Sequence, residues 1–304
     1  MAASNDLRRK ITADIIEALQ AGGLPPWRMP WNTHENGRGL PTNVDSERPY
    51  SGLNPLLLTL HRRRLNLTSK WYGTFSQWKS LGCGVKARPP EVEPGRWGCQ
   101  IVYFKPLTKV EKTKTGEEKE VNIPLLRTYT VFSADQVDGA ERWRVPDEPE
   151  TLALPSYGPA DEAIASTGAK IAYGHTRAYY RPGDDSIGMP NRSAFPEIKE
   201  FYGTLLHELA HWSEPRTDWK GDYAQGELRA EIASAFLMAE LGVPQCDDLT
   251  NVNAYLAAWL NALKNDVNYI FRASAAANKA ATYILSFSRP KEPETVLMDE
   301  AVMA

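Results

Sequence analysis

The sequence predicts an α+β protein of two domains: a mixed α/β domain, then a mostly helical one with a small β-sheet. Three observations lead there. The 304 residues suffice for two ordinary domains. The charge splits along the chain: residues 1–140 carry 20 Lys+Arg against 14 Asp+Glu (+6), and the other 15 and 24 leave 141–304 at −9. A Pro- and acid-rich stretch, Val145 to Pro159, lies between the halves. The expected division is 1–144, a linker over 145–159, a second domain over 160–290 and a frayed tail over 291–304.

Each element has a local reason. Ile11, Ile15, Ile16 and Leu19 recur at helical spacing over 6–21, and Gly22-Gly23 stop that helix. Leu56, Leu57 and Leu60 give Asn54–Arg64 an apolar stripe, and Phe75–Leu81 is a further short helix. Val85–Ala87, Gly98–Phe104 and Leu126–Phe132 are rich in β-branched and aromatic residues and predict strands. The Lys/Glu/Thr run from Thr108 to Glu120 is too polar for a core and predicts a solvated hairpin tip or loop. Beyond the linker, a helix is expected over Ala160–Thr167 and strands near Lys170–Tyr173, Arg177–Tyr180 and Ser186–Met189. Helices follow over Glu197–Trp212, Gln225–Leu241, Val252–Asn265 and Ala273–Phe287.

Composition removes several classes. No apolar run approaches the ~18–20 residues of a membrane helix. Cys83, Cys99 and Cys246 are too few and too scattered for a disulfide framework. The polar N-terminus through Lys10 offers no apolar signal core. These features predict a protein of the reducing cytoplasm without a membrane partner.

The sharpest chemical signal is His207-Glu208-Leu209-Ala210-His211, in a chain with five His. On a helix the two imidazoles lie one turn apart on one face and can bind one Zn²⁺ per chain. Glu208 sits where a general base can reach an attacking water. A catalytic zinc also needs a third protein ligand. The next helix offers Glu227 and Glu231, four apart on one face; one can ligate while the other accepts a bond from a ligand His. Tyr179 or Tyr180, in a hairpin just upstream, could donate to an oxyanion or contact substrate.

The N-terminal half interleaves aromatics with cations. Trp27, Trp31, Tyr50, Trp71 and Tyr72, with Arg28, Arg62, Arg63, Lys70, Lys79, Lys86 and Arg88, predict a surface for single-stranded DNA. Bases stack on aromatic faces while cations follow the phosphates. No duplex-reading motif is present.

With these residues in hand, the chain resembles the ArdC type of plasmid antirestriction protein over nearly its whole length. The N-terminal stretches are Pro25-Pro26-Trp27-Arg28-Met29-Pro30-Trp31, Arg48-Pro49-Tyr50-Ser51-Gly52-Leu53-Asn54, Trp71-Tyr72-Gly73-Thr74-Phe75 and Thr128 to Val137. They are similar to a single-stranded-DNA-binding domain shared with TraC-type conjugative primases. The C-terminal half resembles a zincin-like metallopeptidase through Tyr179-Tyr180, Met189-Pro190, His207–Trp212 and Glu227–Glu231. Its Glu-x-x-Ala-Glu pattern resembles the second acidic motif of gluzincins, whose first acid is the ligand. This implies Glu227 as ligand, with Glu231 beside it as the rival. Ser213-Glu214-Pro215 departs from the pattern by lacking a further His. The resemblance implies non-specific single-stranded DNA binding, a zinc peptidase site, and protection of incoming conjugative plasmid DNA from restriction. A protein substrate or a restriction component would be a second partner. The rival readings are a general cytoplasmic zinc metallopeptidase whose N-terminal domain recruits protein substrate, and a DNA-binding pseudo-enzyme with structural zinc.

Overall fold

The computed structural model describes residues 2–22, 25–28, 34–112, 118–146, 157–245 and 250–289, with side chains outside 2–5, 104–126 and 250–251. Helix α1 (Ala2–Gln20) buries Ile11, Ile15 and Leu19. Strand β1 (Thr42–Asn43) precedes α2 (Asn54–Leu65), whose C-terminus stops at Asn66 in the left-handed region. Strand β2 (Trp71–Thr74) runs into α3 (Phe75–Ser80) through a reciprocal cap: Thr74 accepts from the Gln77 N–H, and Gln77 accepts from the Thr74 N–H. Strands β3 (Gly84–Val85), β4 (Cys99–Lys112), β5 (Glu118–Ser133) and β6 (Val137–Asp138) complete this half. The main sheet has the order β1-β2-β5-β4, with β1 parallel to β2 and the other pairs antiparallel.

The second half opens with α4 (Gly158–Ser166), then β7 (Lys170–Tyr173), β8 (Tyr179–Arg181) and β9 (Ser186–Met189). These form a three-stranded sheet of order β7-β9-β8, which leaves β8 as an antiparallel edge. Four helices follow: α5 (Ile198–Trp212), α6 (Tyr223–Leu241), α7 (Thr250–Asn265) and α8 (Tyr269–Leu285). Asp222 caps α6 by accepting from the Gln225 N–H at 2.8 Å, and Gly242, at φ 71°, ends it. α6 is central, buried on nearly every face from Gln225 to Met238.

The α+β expectation holds, with corrections of extent. β4 and β5 pair in register from Cys99↔Val131 to Lys112↔Glu118, well beyond the expected strands. An antiparallel ladder is held by backbone pairing and needs no apolar residues, so the polar run gives no sign of it. The short strands β1, β2 and β6 were not foreseen. α4 begins at Gly158, inside the expected linker, because Pro159 suits a first helical turn. α8 starts four residues early, since Tyr269, Ile270 and Phe271 are buried. The middle of the linker, the hairpin tip at 113–117, Cys246 and the tail lie outside the described residues.

One apolar cluster runs through both halves. α1 lies on α7, where the Thr12 hydroxyl donates to the Val267 carbonyl at 3.0 Å. Trp27, fully buried, meets Trp259 edge to face with centroids 5.8 Å apart. Ser274 donates to the Gly52 carbonyl at 2.7 Å. The whole chain is therefore expected to unfold in one transition, with fluorescence and circular dichroism coincident in urea. Trp27→Ala should lower its stability by about 3–5 kcal/mol. Two separate transitions would mean that the linker divides independent units.

Candidate metal centre

α5 and α6 bring the chemistry together. The Nε2 atoms of His207 and His211 lie 3.2 Å apart on one face of α5. From α6, Glu227 places Oε2 3.3 Å from His207 Nε2 and Oε1 3.6 Å from His211 Nε2. The three donor atoms fall within 4.8 Å of one another. One turn on, Glu231 faces the other nitrogen of His207, with Oε1 3.6 Å from Nδ1. Imidazole nitrogens and a carboxylate turned toward one buried point are costly unless a proton or a cation lies among them. This donor set therefore fits one divalent cation.

The surroundings tune each group. Burial works against a charged His211, but bonds to Glu214 and Glu227 outweigh it and push His211 up to about 9. Burial also resists the Glu227 charge, yet the two imidazoles hold its carboxyl well below the ordinary range. Glu208 is pushed up by burial; His207, His211 and the Tyr180 backbone N–H, which reaches its carboxylate, offset part of this. Glu208 thus lies against the edge strand β8.

Two supporting residues carried no motif. His211 Nδ1 donates to Glu214 Oε1 at 2.9 Å, so the residue that follows the motif without a further His orients its second imidazole. Arg229, fully buried, donates to the Ala210 carbonyl at 2.7 Å, to the Ser213 hydroxyl at 2.7 Å and to Thr217 at 3.0 Å. It ties the end of α5 to α6 and stands 3.9 Å from Glu214.

The hairpin tyrosines are engaged close to home. Tyr179 lies across Gly188, where an added Cβ would meet its ring at 2.4 Å, and its hydroxyl accepts from Arg181 at 2.7 Å. The Tyr180 hydroxyl donates to Asp185 at 3.1 Å. What β8 brings to the site is the Tyr180 backbone. Another tyrosine, which sequence reasoning passed over, stands near the site: Tyr223 is 73% exposed, its hydroxyl is pushed up by a 2.9 Å contact with that of Tyr255, and it lies close enough to Glu227 to be raised by that charge as well.

Comparison with known proteins adds the lineage. Residues 5–132 match the family described as the N-terminal domain of anti-restriction factor ArdC. Residues 159–276 match the zincin-like metallopeptidase family. The metal-free crystal structure of antirestriction ArdC protein from R388 plasmid superposes with a TM-score of 0.73 at 34% identity, covering 93% of this chain and 98% of that one. The chain belongs to the ArdC family. The Mn(II)-bound structure of the R388 protein gives a TM-score of 0.70 at 32% identity, covering 94% and 99%. A Sinorhizobium fredii (strain NBRC 101917 / NGR234) relative, uncharacterized protein y4eC, is 30% identical, covering 92% of this chain and 91% of its own. An Escherichia coli DNA primase TraC is 32% identical across 94% of this chain, which spans only 27% of that relative's length. Among the described residues no helix is long and apolar enough to cross a membrane.

In this ArdC-family chain the expected DNA contacts divide sharply. Trp27, Arg28, Tyr50, Arg62 and Tyr72 are buried, so as folded they offer no face to a base or phosphate. Arg62 instead donates to the Thr68 carbonyl at 2.7 Å and the Gly37 carbonyl at 3.3 Å. Tyr50 accepts from Asn43 at 3.0 Å, and the Tyr72 hydroxyl meets His61 at 3.2 Å. A small mixed domain fills its core with these rings and satisfies their polar ends inside. Arg63, Lys70, Trp71 and Lys86 are half-buried, and Lys79 and Arg88 exposed. Lys70 stands 5.2 Å over the Trp71 ring. Phe75, 58% exposed and one helical turn from Lys79, is the large apolar side chain most open to solvent among the described residues of this half. Trp31 lies outside the described residues.

The raised His211 has a pH signature. In the metal-free protein its stabilising charge is fully present below the ordinary value of 6.5 and is lost as pH rises through about 9. A cation must displace that proton. Zn(II) affinity measured by chelator competition should therefore climb across this window, by about tenfold per pH unit for one proton released. A flat profile would mean that His211 is neutral in the metal-free protein.

Proposed function

We propose that this protein binds single-stranded DNA without sequence preference, carries a zinc metallopeptidase site, and acts in the cytoplasm to protect incoming conjugative plasmid DNA from restriction. The observation that carries the peptidase reading is the convergence of His207, His211 and Glu227, with Glu208 buried alongside and touching edge strand β8. Two imidazoles and one carboxylate are a zinc ligand set that leaves a position open. The Mn(II)-bound R388 relative supports a metal here. We assign His207, His211 and Glu227 as ligands and Glu231 and Glu214 as the acceptors that orient the imidazoles.

The ion, when bound, supplies Lewis-acid activation of a water and of a peptide carbonyl. The residues do the rest. An extended peptide laid along β8 adds a strand and passes beside Glu208. Glu208 takes the proton from the attacking water and returns it to the leaving amine; its raised affinity for a proton suits both steps. Tyr223 is the exposed hydroxyl best placed to contact substrate near this site. Residues to about 144 form the DNA-handling half and 160–290 the peptidase half. The DNA surface is assigned to Phe75 and Lys79 on α3, together with Lys70, Trp71, Lys86 and Arg88.

Glu208→Gln should retain one equivalent of zinc by mass spectrometry and lose any peptidase turnover by about 10²–10⁴-fold. Retained turnover would remove Glu208 from the chemistry. For DNA, the whole chain should bind labelled oligo(dT) in a salt-sensitive manner and prefer it to duplex. Phe75→Ala should weaken that binding by about 1–3 kcal/mol in fluorescence anisotropy. Absence of binding at low salt would sink the DNA reading. Plasmid transfer into a restricting recipient, compared for these two variants, then assigns protection to one activity or the other.

A further inference from the structure

Arg28 belongs by sequence to the N-terminal family region, yet its side chain ends beside the metal centre. It is 8% exposed, and its Nη2 lies 3.5 Å from Glu231 Oε2. The other oxygen of that carboxylate, Oε1, faces His207 Nδ1 at 3.6 Å. Glu231 is therefore an electrostatic bridge between the Arg28 guanidinium and the His207 imidazole, whose buried Nδ1 has no hydrogen-bond partner and faces no other carboxylate this near among the described residues. A polar cavity adjoins the bridge, lined by Arg28, Thr204, His207, Glu231, Ser234 and Gln245. Without Arg28, the Glu231 carboxylate has room there to turn away from His207.

Arg28 is itself held from both halves. Its N–H donates to the Pro25 carbonyl at 3.0 Å, closing a turn. Arg63 of α2 donates to the same carbonyl at 3.1 Å. The neighbouring Trp27 is wedged against Trp259 of α7. The turn thus has a fixed address relative to α6.

We propose that Arg28 is a positioning residue for the metal centre: it fixes Glu231, which sets the ring orientation of His207, so the N-terminal half completes the site of the C-terminal half. This rests on the metal reading above. An imidazole whose far nitrogen loses its acceptor binds metal more weakly, commonly by about 10–100-fold.

The test uses the full chain and Zn(II) alone, with affinity read by chelator competition and the native fold checked by circular dichroism. Arg28→Gln should weaken zinc by about 10–100-fold, and Arg28→Lys should recover part of the loss. Arg28→Met keeps the buried stem and carries the test if Arg28→Gln does not fold. The double variant Arg28→Gln/Glu231→Gln should bind no more weakly than Glu231→Gln alone, because both act through one bridge. Glu240→Ala is the control. It removes the acceptor of another link between the halves, the 3.2 Å bond from the Leu40 N–H to Glu240, and should leave zinc affinity within about twofold. Unchanged zinc affinity in folded Arg28 variants, additive losses in the double variant, or an equal loss in Glu240→Ala would each overturn the proposal. Those results leave the metal reading standing. Failure of the unaltered protein to take up zinc would overturn both.

Discussion

Ionisable side chains buried between two helices persist only if each finds a partner, and the α5–α6 contact buries His207, Glu208, Glu227, Arg229 and Glu231 together. Removing one member of such a set strands another charge, at about 3–5 kcal/mol. The set therefore dictates how the helices cross. Arg229 reaches the end of α5, Glu227 reaches its two imidazoles, and Ser234 donates to the Gly203 carbonyl at 2.8 Å. These contacts pin α6 to α5 along its length. The apolar residues around them, Leu205, Leu209, Leu228 and Ile232, then keep water from competing. Stability and chemistry draw on the same contacts, so a substitution for either one perturbs both.

Much of this was legible where the physics is local. Two His one turn apart with an intervening Glu announce a metal helix, because the 3.6-residue period alone puts both rings on one face. Glu227 and Glu231 also share a face, for the same reason, and that is why the sequence could not separate them. Only the crossing of α6 over α5 sends one to the Nε2 atoms and the other to Nδ1. Glu214 lies outside the motifs and Arg229 at an unspecified position within one, since their partners are set by that crossing. The expected DNA contacts were the least legible part. Composition counts aromatic rings and cations but not the direction they face. Trp27 and Tyr72 are core, and Arg62 and Arg63 hold backbone carbonyls.

The charge asymmetry points to two halves with separate business, and a different family model matches part of each half. The structure qualifies what separate means. The contacts between the halves are not a greasy face on which one could slide over the other. They include directional bonds: Thr12 to the Val267 carbonyl, Ser274 to the Gly52 carbonyl, the Leu40 N–H to Glu240, and Arg28 to Glu231. Each has a narrow range of distance and angle, and a shift of an ångström or two leaves buried polar groups unpaired at about 1–3 kcal/mol each. Several such bonds broken at once exceed what thermal motion supplies. The halves are therefore held in one register. A force on the N-terminal half reaches α5 and α6 through fixed atoms rather than through a flexible tether.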